Sequence, residues 1–270
     1  MRRGALHAIL IGWSIVSILP VLWMLSASVQ STEQIYAGVS LVPDGWHFDN
    51  YRRAWEDADF DRYLGNSVLY TVTVTTAVVL FASMAAYAFA RLRFPGKKVI
   101  YSTLLAFIFV PMPAAFIPLY VILVRLGLVD TRLGYILPMI NAQLPVAIFL
   151  LRRFFESMPK EIEEAALVDG AGRIRIYARI ALPLAKPAIA TITILTVLGV
   201  WNEFTLALIV FTDDKLMPLQ VGLQVFQGSY FSQYGLMMAA IAITTVPVVV
   251  LYLCFQRFII RGVMAGAVKQ

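Results

Sequence analysis

Long apolar runs fenced by charges dominate the chain. A membrane-spanning helix needs about 20 mostly apolar residues, and six stretches meet that demand: 6–28, 67–90, 99–124, 133–151, 188–211 and 236–256. Residues 63–90 carry no charge over 28 positions, residues 99–124 none over 26 and residues 133–151 none over 19. The fifth stretch holds a single charge, Glu203. Prolines fall inside several runs, at Pro20, Pro111, Pro113, Pro118, Pro138, Pro145 and Pro247. Each removes a backbone hydrogen bond and bends its helix, and neighbouring helices and hydroxyls must repair the loss. The pattern predicts an all-α membrane protein of six transmembrane helices, read as one domain over residues 1–270.

Composition agrees with lipid as the main solvent. Hydrophobic residues make up 60% of the chain and charged ones 14%, against about 25% charged in soluble domains. A large soluble enzyme and a disordered chain are both excluded. One cysteine, Cys254, permits no intramolecular disulfide and no cysteine-rich metal site. The net charge of +6 reads as membrane topology rather than nucleic-acid binding, because its distribution alternates. Residues 1–5, 91–98, 152–187 and 257–270 hold 16 Lys and Arg and 5 acidic residues, whereas 29–66, 125–132 and 212–235 hold 6 and 10. The positive-inside rule then places both termini in the cytoplasm, as an even number of spans requires. Arg2 and Arg3 ahead of an apolar run resemble a signal peptide, but the run exceeds the usual 7–15 residues, which favours an uncleaved anchor. The basic residues of the 91–98 loop are expected to touch lipid phosphate.

The cytoplasmic segment 152–187 is too long for a simple turn. Pro159 suits a first helical turn with Ser157 or Met158 near the cap. Residues 160–168 predict a short helix whose glutamates favour the positive end of its dipole. Gly170 and Gly172 supply a reversal, and residues 173–181 predict a second helix closed by Pro183. On the first helix, Ile162, Ala165, Ala166 and Asp169 share a face, with Glu164 beside them. Small alanines admit another surface closely. The face suits a separate protein or the chain's own spans equally well.

Glu164-Ala165-Ala166, three residues, Gly170, nine residues and Ile180-x-Leu182-Pro183 match the EAA motif of bacterial ABC-importer permeases in every fixed position and both spacings. The chain also resembles the carbohydrate-uptake branch of that family, the maltose-type (MalG-like) permeases, through Phe48-Asp49-Asn50-Tyr51, Ala85-Ala86-Tyr87-Ala88, Phe94-Pro95-Gly96, Trp201-Asn202-Glu203-Phe204 and Gly262-x-x-Ala265-Gly266-Ala267-Val268-Lys269. The resemblance implies a type I importer permease fold in the bacterial inner membrane. It implies that Glu164, Ala165, Ala166, Asp169, Gly170, Ile180, Leu182 and Pro183 couple the chain to an ATPase. It also implies a second homologous permease, two ATPase subunits that carry ATP and Mg, an external solute-binding protein, and a tail at 257–270 reaching between the ATPases. No cofactor is expected on this chain.

Glu203 beside Asn202 within a span reads either as a translocation-path residue or as a helix-packing polar pair near the outer interface. The outer loop offers Gln220, Gln224, Gln227, Tyr230, Phe231, Gln233 and Tyr234. Aromatic faces with amide donors suit a neutral sugar, and the same residues describe an interfacial belt. The acidic group Glu56, Asp57, Asp59 and Asp61 suits docking of a binding protein or simple solvation. Gly96-Lys97-Lys98 lacks the upstream glycine and hydroxyl of a phosphate loop. A catalytic triad would have to use His7 or His47, which lie far apart in the topology. An intramembrane enzyme is therefore a poor reading. A secondary carrier or channel using Glu203 for ion coupling explains the hydropathy but leaves the EAA spacing without a reason.

Overall fold

The computed structural model describes residues 2–56, 59–109, 112–226 and 233–267. Every regular element among them is helical. In chain order these are α1 (Arg2–Ala27), α2 (Thr32–Ala37), α3 (Asp49–Glu56), α4 (Phe60–Arg91), α5 (Lys97–Ala106) and α6 (Met112–Arg125). There follow α7 (Arg132–Ser157), α8 (Lys160–Val168), α9 (Arg173–Ile176), α10 (Leu182–Leu184) and α11 (Lys186–Trp201). The chain ends with α12 (Thr205–Val210), α13 (Leu219–Gly222) and α14 (Tyr234–Ala267). They form two compact units, Met1–Leu64 with Pro218–Val249, and Gly65–Met217 with Val250–Gln270.

Three described helical stretches are long and apolar enough to cross a membrane: Ile9–Ala27, Phe60–Arg91 and Arg132–Ser157. A fourth candidate is the pair Arg173–Leu184 and Lys186–Trp201, bent by 75°. The third and sixth predicted stretches contain shorter apolar helices, Ala115–Arg125 and Tyr234–Val250. The third stretch holds α5, which ends at Ala106, and α6, which begins at Met112, while Pro111 lies outside the described residues. The fifth stretch, read from sequence as continuous, is broken between Trp201 and Thr205.

In the first unit, α1 presents Ile9, Trp13 and Val16 almost bare, as a lipid-facing helix does. The chain after α1 is tied down by the Phe48–Tyr51 motif. Asn50 Nδ2 donates to the Ser28 and Gln30 carbonyls at 3.1 and 3.0 Å, and Tyr51 and Ser28 share a hydroxyl bond of 2.7 Å. Gly235 packs so closely here that a Cβ would lie 2.7 Å from the Gln30 carbonyl oxygen.

The second unit packs on α4, which is buried along one side through Tyr70, Val74, Val78, Ala82 and Ala86. Tyr70, Tyr135 and Phe211 form an aromatic cluster with centroids 4.8–5.8 Å apart, a spacing that favours offset or tilted rings. Asn66 Nδ2 donates to the carbonyls of Lys215 and Met217 at 2.8 and 3.0 Å, and Tyr70 OH to that of Leu216 at 2.8 Å. These bonds hold the loop after α12 against α4. Asp130, in the left-handed region at φ +54°, closes the other side of that loop. Its carboxylate accepts the Thr212 hydroxyl and the N–H groups of Thr212 and Asp213 at 2.6 and 3.0 Å. The Thr212 hydroxyl, then the Asp213 and Thr212 N–H groups, hold the Asp130 carboxyl below the usual carboxylate range.

Candidate coupling face and the break in the fifth span

The segment between α7 and α11 folds as a helix, a glycine reversal and a second helix. Helix α8 begins after Pro159, which stands at the cap itself rather than inside the first turn. Its end is a Schellman motif. The Gly170 N–H bonds to the Leu167 carbonyl at 3.0 Å and the Ala171 N–H to the Ala166 carbonyl at 2.9 Å, with Gly170 at φ +79° where a Cβ is strained. The second helix departs from expectation, because it continues through Pro183 to Leu184. A π-helical turn over Tyr177–Ala181 precedes that proline, and the Leu182 N–H reaches back five residues to the Tyr177 carbonyl. The widened turn accommodates a ring that would otherwise collide with the carbonyl four residues before it.

What seats α8 is Glu163, not the motif's Glu164. Glu163 is 6% exposed and accepts Arg91 Nε at 2.8 Å, in a pair whose side chains are both almost wholly buried. Arg91 Nη2 also donates to the Met158 carbonyl at 2.8 Å, and Tyr87 OH to Glu163 at 3.3 Å. Tyr87 packs edge-on to Phe155 and tilted against Tyr177, whose hydroxyl lies 2.8 Å from Ser83 Oγ. The charges suit their positions, since Arg91 ends α4 and Glu163 opens α8, each at the favourable end of a helix dipole. Arg91, expected at the lipid surface with the rest of the 91–98 loop, is therefore turned inward. Arg152 stacks 3.7 Å over the Tyr101 ring.

With Glu163 inward, the motif's face is left bare. Glu164, Ala165, Asp169 and Gly170 are exposed and Ala166 is half-buried. Val168 is 88% and Ile174 83% exposed, which forms an apolar crest beside the reversal. Ile180 and Leu182 are half-buried and Pro183 is exposed. Next to the crest lies an open groove of about 680 Å³ lined by Gly170, Gly172, Ile174 and Ala178 with Arg173, Arg175 and Arg179.

The second candidate site is the break in the fifth stretch. The Trp201 ring is buried, Asn202 is exposed and Glu203 is half-buried. The Glu203 carboxylate accepts the N–H groups of Leu206 and Ala207 at 2.7 and 3.1 Å, satisfying two of the four donors left open where α12 starts. Asn202 Nδ2 donates to the Leu198 carbonyl at 2.9 Å. The Tyr135 hydroxyl and Trp201 Nε1 are buried without a hydrogen-bond partner, as are the Thr71 and Thr75 hydroxyls on α4. An orphaned buried donor costs about 1–3 kcal/mol. Of the outer-loop residues singled out, Gln227, Tyr230 and Phe231 lie outside the described residues, as do Asp57 of the acidic group and Val268 and Lys269 of the tail.

Residues 78–264 match the family described as the binding-protein-dependent transport system inner membrane component. The diacetylchitobiose uptake system permease protein of Streptomyces coelicolor is 40% identical over 265 residues, spanning 97% of this chain and 88% of that protein. The trehalose/maltose transport system permease protein of Thermococcus litoralis is 34% identical over 100% of this chain and 99% of its own. A solved bacterial ABC transporter involved in the import of the acidic polysaccharide alginate superposes with a TM-score of 0.81 at 29% identity, over 94% of this chain and 95% of the matched one.

Proposed function

The chain belongs to the family of inner membrane components of binding-protein-dependent transport systems, and from that premise we propose that it forms half of the translocation path of an ATP-driven sugar importer. The observation that carries the coupling role is the division of labour on α8. Glu163 fastens the helix inward, and the EAA face of Glu164, Ala165 and Ala166, with Asp169 and Gly170, stays open for an ATPase subunit. Ile180, Leu182 and Pro183 belong to the second helix, after the reversal, and complete the coupling segment. Two ATPase subunits bind ATP and Mg, a second permease completes the path, and an external solute-binding protein delivers the sugar. The charge distribution supports cytoplasmic termini and a cytoplasmic coupling segment. An energy-independent carrier leaves the exposed EAA face without a role.

Relatives named for diacetylchitobiose and for trehalose/maltose uptake support a neutral di- or oligosaccharide as cargo. Asn202 and Glu203 border the path at the broken span. The unpartnered Tyr135 and Trp201 donors beside them are suited to water or sugar hydroxyls in another state of the cycle. The test is purification from native membranes in mild detergent, with the partners identified by mass. ATP-dependent uptake of diacetylchitobiose, trehalose and maltose is then measured in proteoliposomes. Recovery of an ATPase and a second permease with ATP-dependent uptake is expected; recovery of this chain alone from conditions that preserve other membrane complexes contradicts the reading.

A further inference from the structure

We propose that α4 is the rod that carries movement of the coupling segment to the 212–217 loop, with Tyr87 and Arg91 as positioning residues at one end and Asn66 and Tyr70 at the other. The inference rests on the importer reading above and adds to it the path through this chain. Three observations converge. Within the second unit α4 bonds the coupling segment through Arg91–Glu163, Arg91–Met158 and Ser83–Tyr177. The same helix bonds the far loop through Asn66 to Lys215 and Met217 and through Tyr70 to Leu216. Between Tyr70 and Tyr87 lie 17 residue steps, about 26 Å of helix at 1.5 Å per residue.

The third observation is stiffness. Among the described residues, of the four helices of 26 residues or more, α1, α7 and α14 contain an internal proline, and α4 does not. Prolines and the breaks they cause are where long helices bend. A helix without one transmits displacement along its axis, whereas the fifth stretch is interrupted at Asn202–Phe204. The loop is held at two places, by α4 at residues 215–217 and by Asp130 at Thr212 and Asp213, so a shift of α4 relative to Asp130 alters the backbone between them.

The test reads one end while perturbing the other, in the complete complex with its ATPases and partner permease. Cys254→Ser removes the native thiol and Asp214→Cys reports on the loop. The reaction rate of that cysteine with a water-soluble maleimide is compared without nucleotide and with MgATP plus vanadate. The rate is expected to change by at least about 5-fold, the lower end of ordinary coupling. The paired replacement Arg91→Met with Glu163→Leu removes the lock without stranding a buried charge, and Tyr70→Phe releases the loop. Each should shrink the response to under about 2-fold with the complex still assembled, whereas Arg91→Lys, which keeps the charge facing Glu163 but gives up the forked hold on the Met158 carbonyl, should retain a response between that and the parent's. A full response in either perturbed form overturns the rod. An ordinary ATPase activity with additive mutant effects also overturns it while leaving the importer reading intact. A reporter complex that contains no ATPase removes the importer reading itself.

Discussion

At the Arg91 end of α4 the contacts are ionic and buried; at the Asn66 end they are neutral and made to backbone carbonyls. Arg91 and Glu163 select one another by charge, so the coupling segment has a single seat. Asn66 and Tyr70 donate to Lys215, Leu216 and Met217 through their main chain, so the loop is held by its shape and its side chains are left unconstrained by these bonds. A segment that must present one face to a fixed partner benefits from the first kind of hold. A loop whose side chains are left free by the bonds that seat it is held by the second.

The largest effect expected from breaking this contrast comes from stranding one charge. Glu163→Gln or Arg91→Met should each destabilise the second unit by about 3–5 kcal/mol, while Arg91→Met combined with Glu163→Leu should come close to the parent. Thermal unfolding of the detergent-solubilised complex checks both. Equal losses in the single and double variants would mean that packing, and not the charge pair, holds α8. At the neutral end, Asn66→Ala should cost about 1–2 kcal/mol and Tyr70→Phe about 1 kcal/mol in the same assay.

Asp130 gives a smaller, pH-dependent signature. Its folded pKa lies below the ordinary value, so its contribution is present above about pH 4 and fades as the pH falls through the depressed value. The stability gap between the parent and Asp130→Asn should therefore be constant near neutral pH and shrink below about pH 4; a gap that widens on acidification contradicts the clasp. Smallest of all, the Arg152–Glu156 pair at i,i+4 on α7 should lose no more than about 0.5 kcal/mol on Glu156→Gln.

Legibility in the sequence follows the locality of each feature. Helix α8 has the bounds 160–168 that proline, glutamates and glycine predict, because caps and dipoles act within one turn. The reversal at Gly170 is legible for the same reason, whereas Gly172, expected to share in it, stands in extended backbone at the N-cap of α9. Arg91 and Glu163 lie 72 positions apart, and no local pattern pairs them. The one hint was an arginine closing an apolar run without an acidic neighbour. Helix continuation through Pro183 depends on a π-helical turn that hydrophobic periodicity does not encode. The break at Glu203 was half-legible, since a lone charge in an apolar run marked the place but not its use as a backbone acceptor.

The most direct test of the central claim compares exposed positions on α8 with a buried position near the end of α7. In a Cys254→Ser background, Ala165→Cys and Glu161→Cys lie on exposed positions, while Phe155→Cys lies in the buried packing beneath α8. Purified complexes carrying each cysteine are treated with a short bifunctional cross-linker. The account predicts that the Ala165 variant links to an ATPase subunit and that the Phe155 variant does not. An intact complex in which Ala165 gives no such link, or in which Phe155 links as readily, would contradict the assignment of the EAA face as the seat of the ATPase.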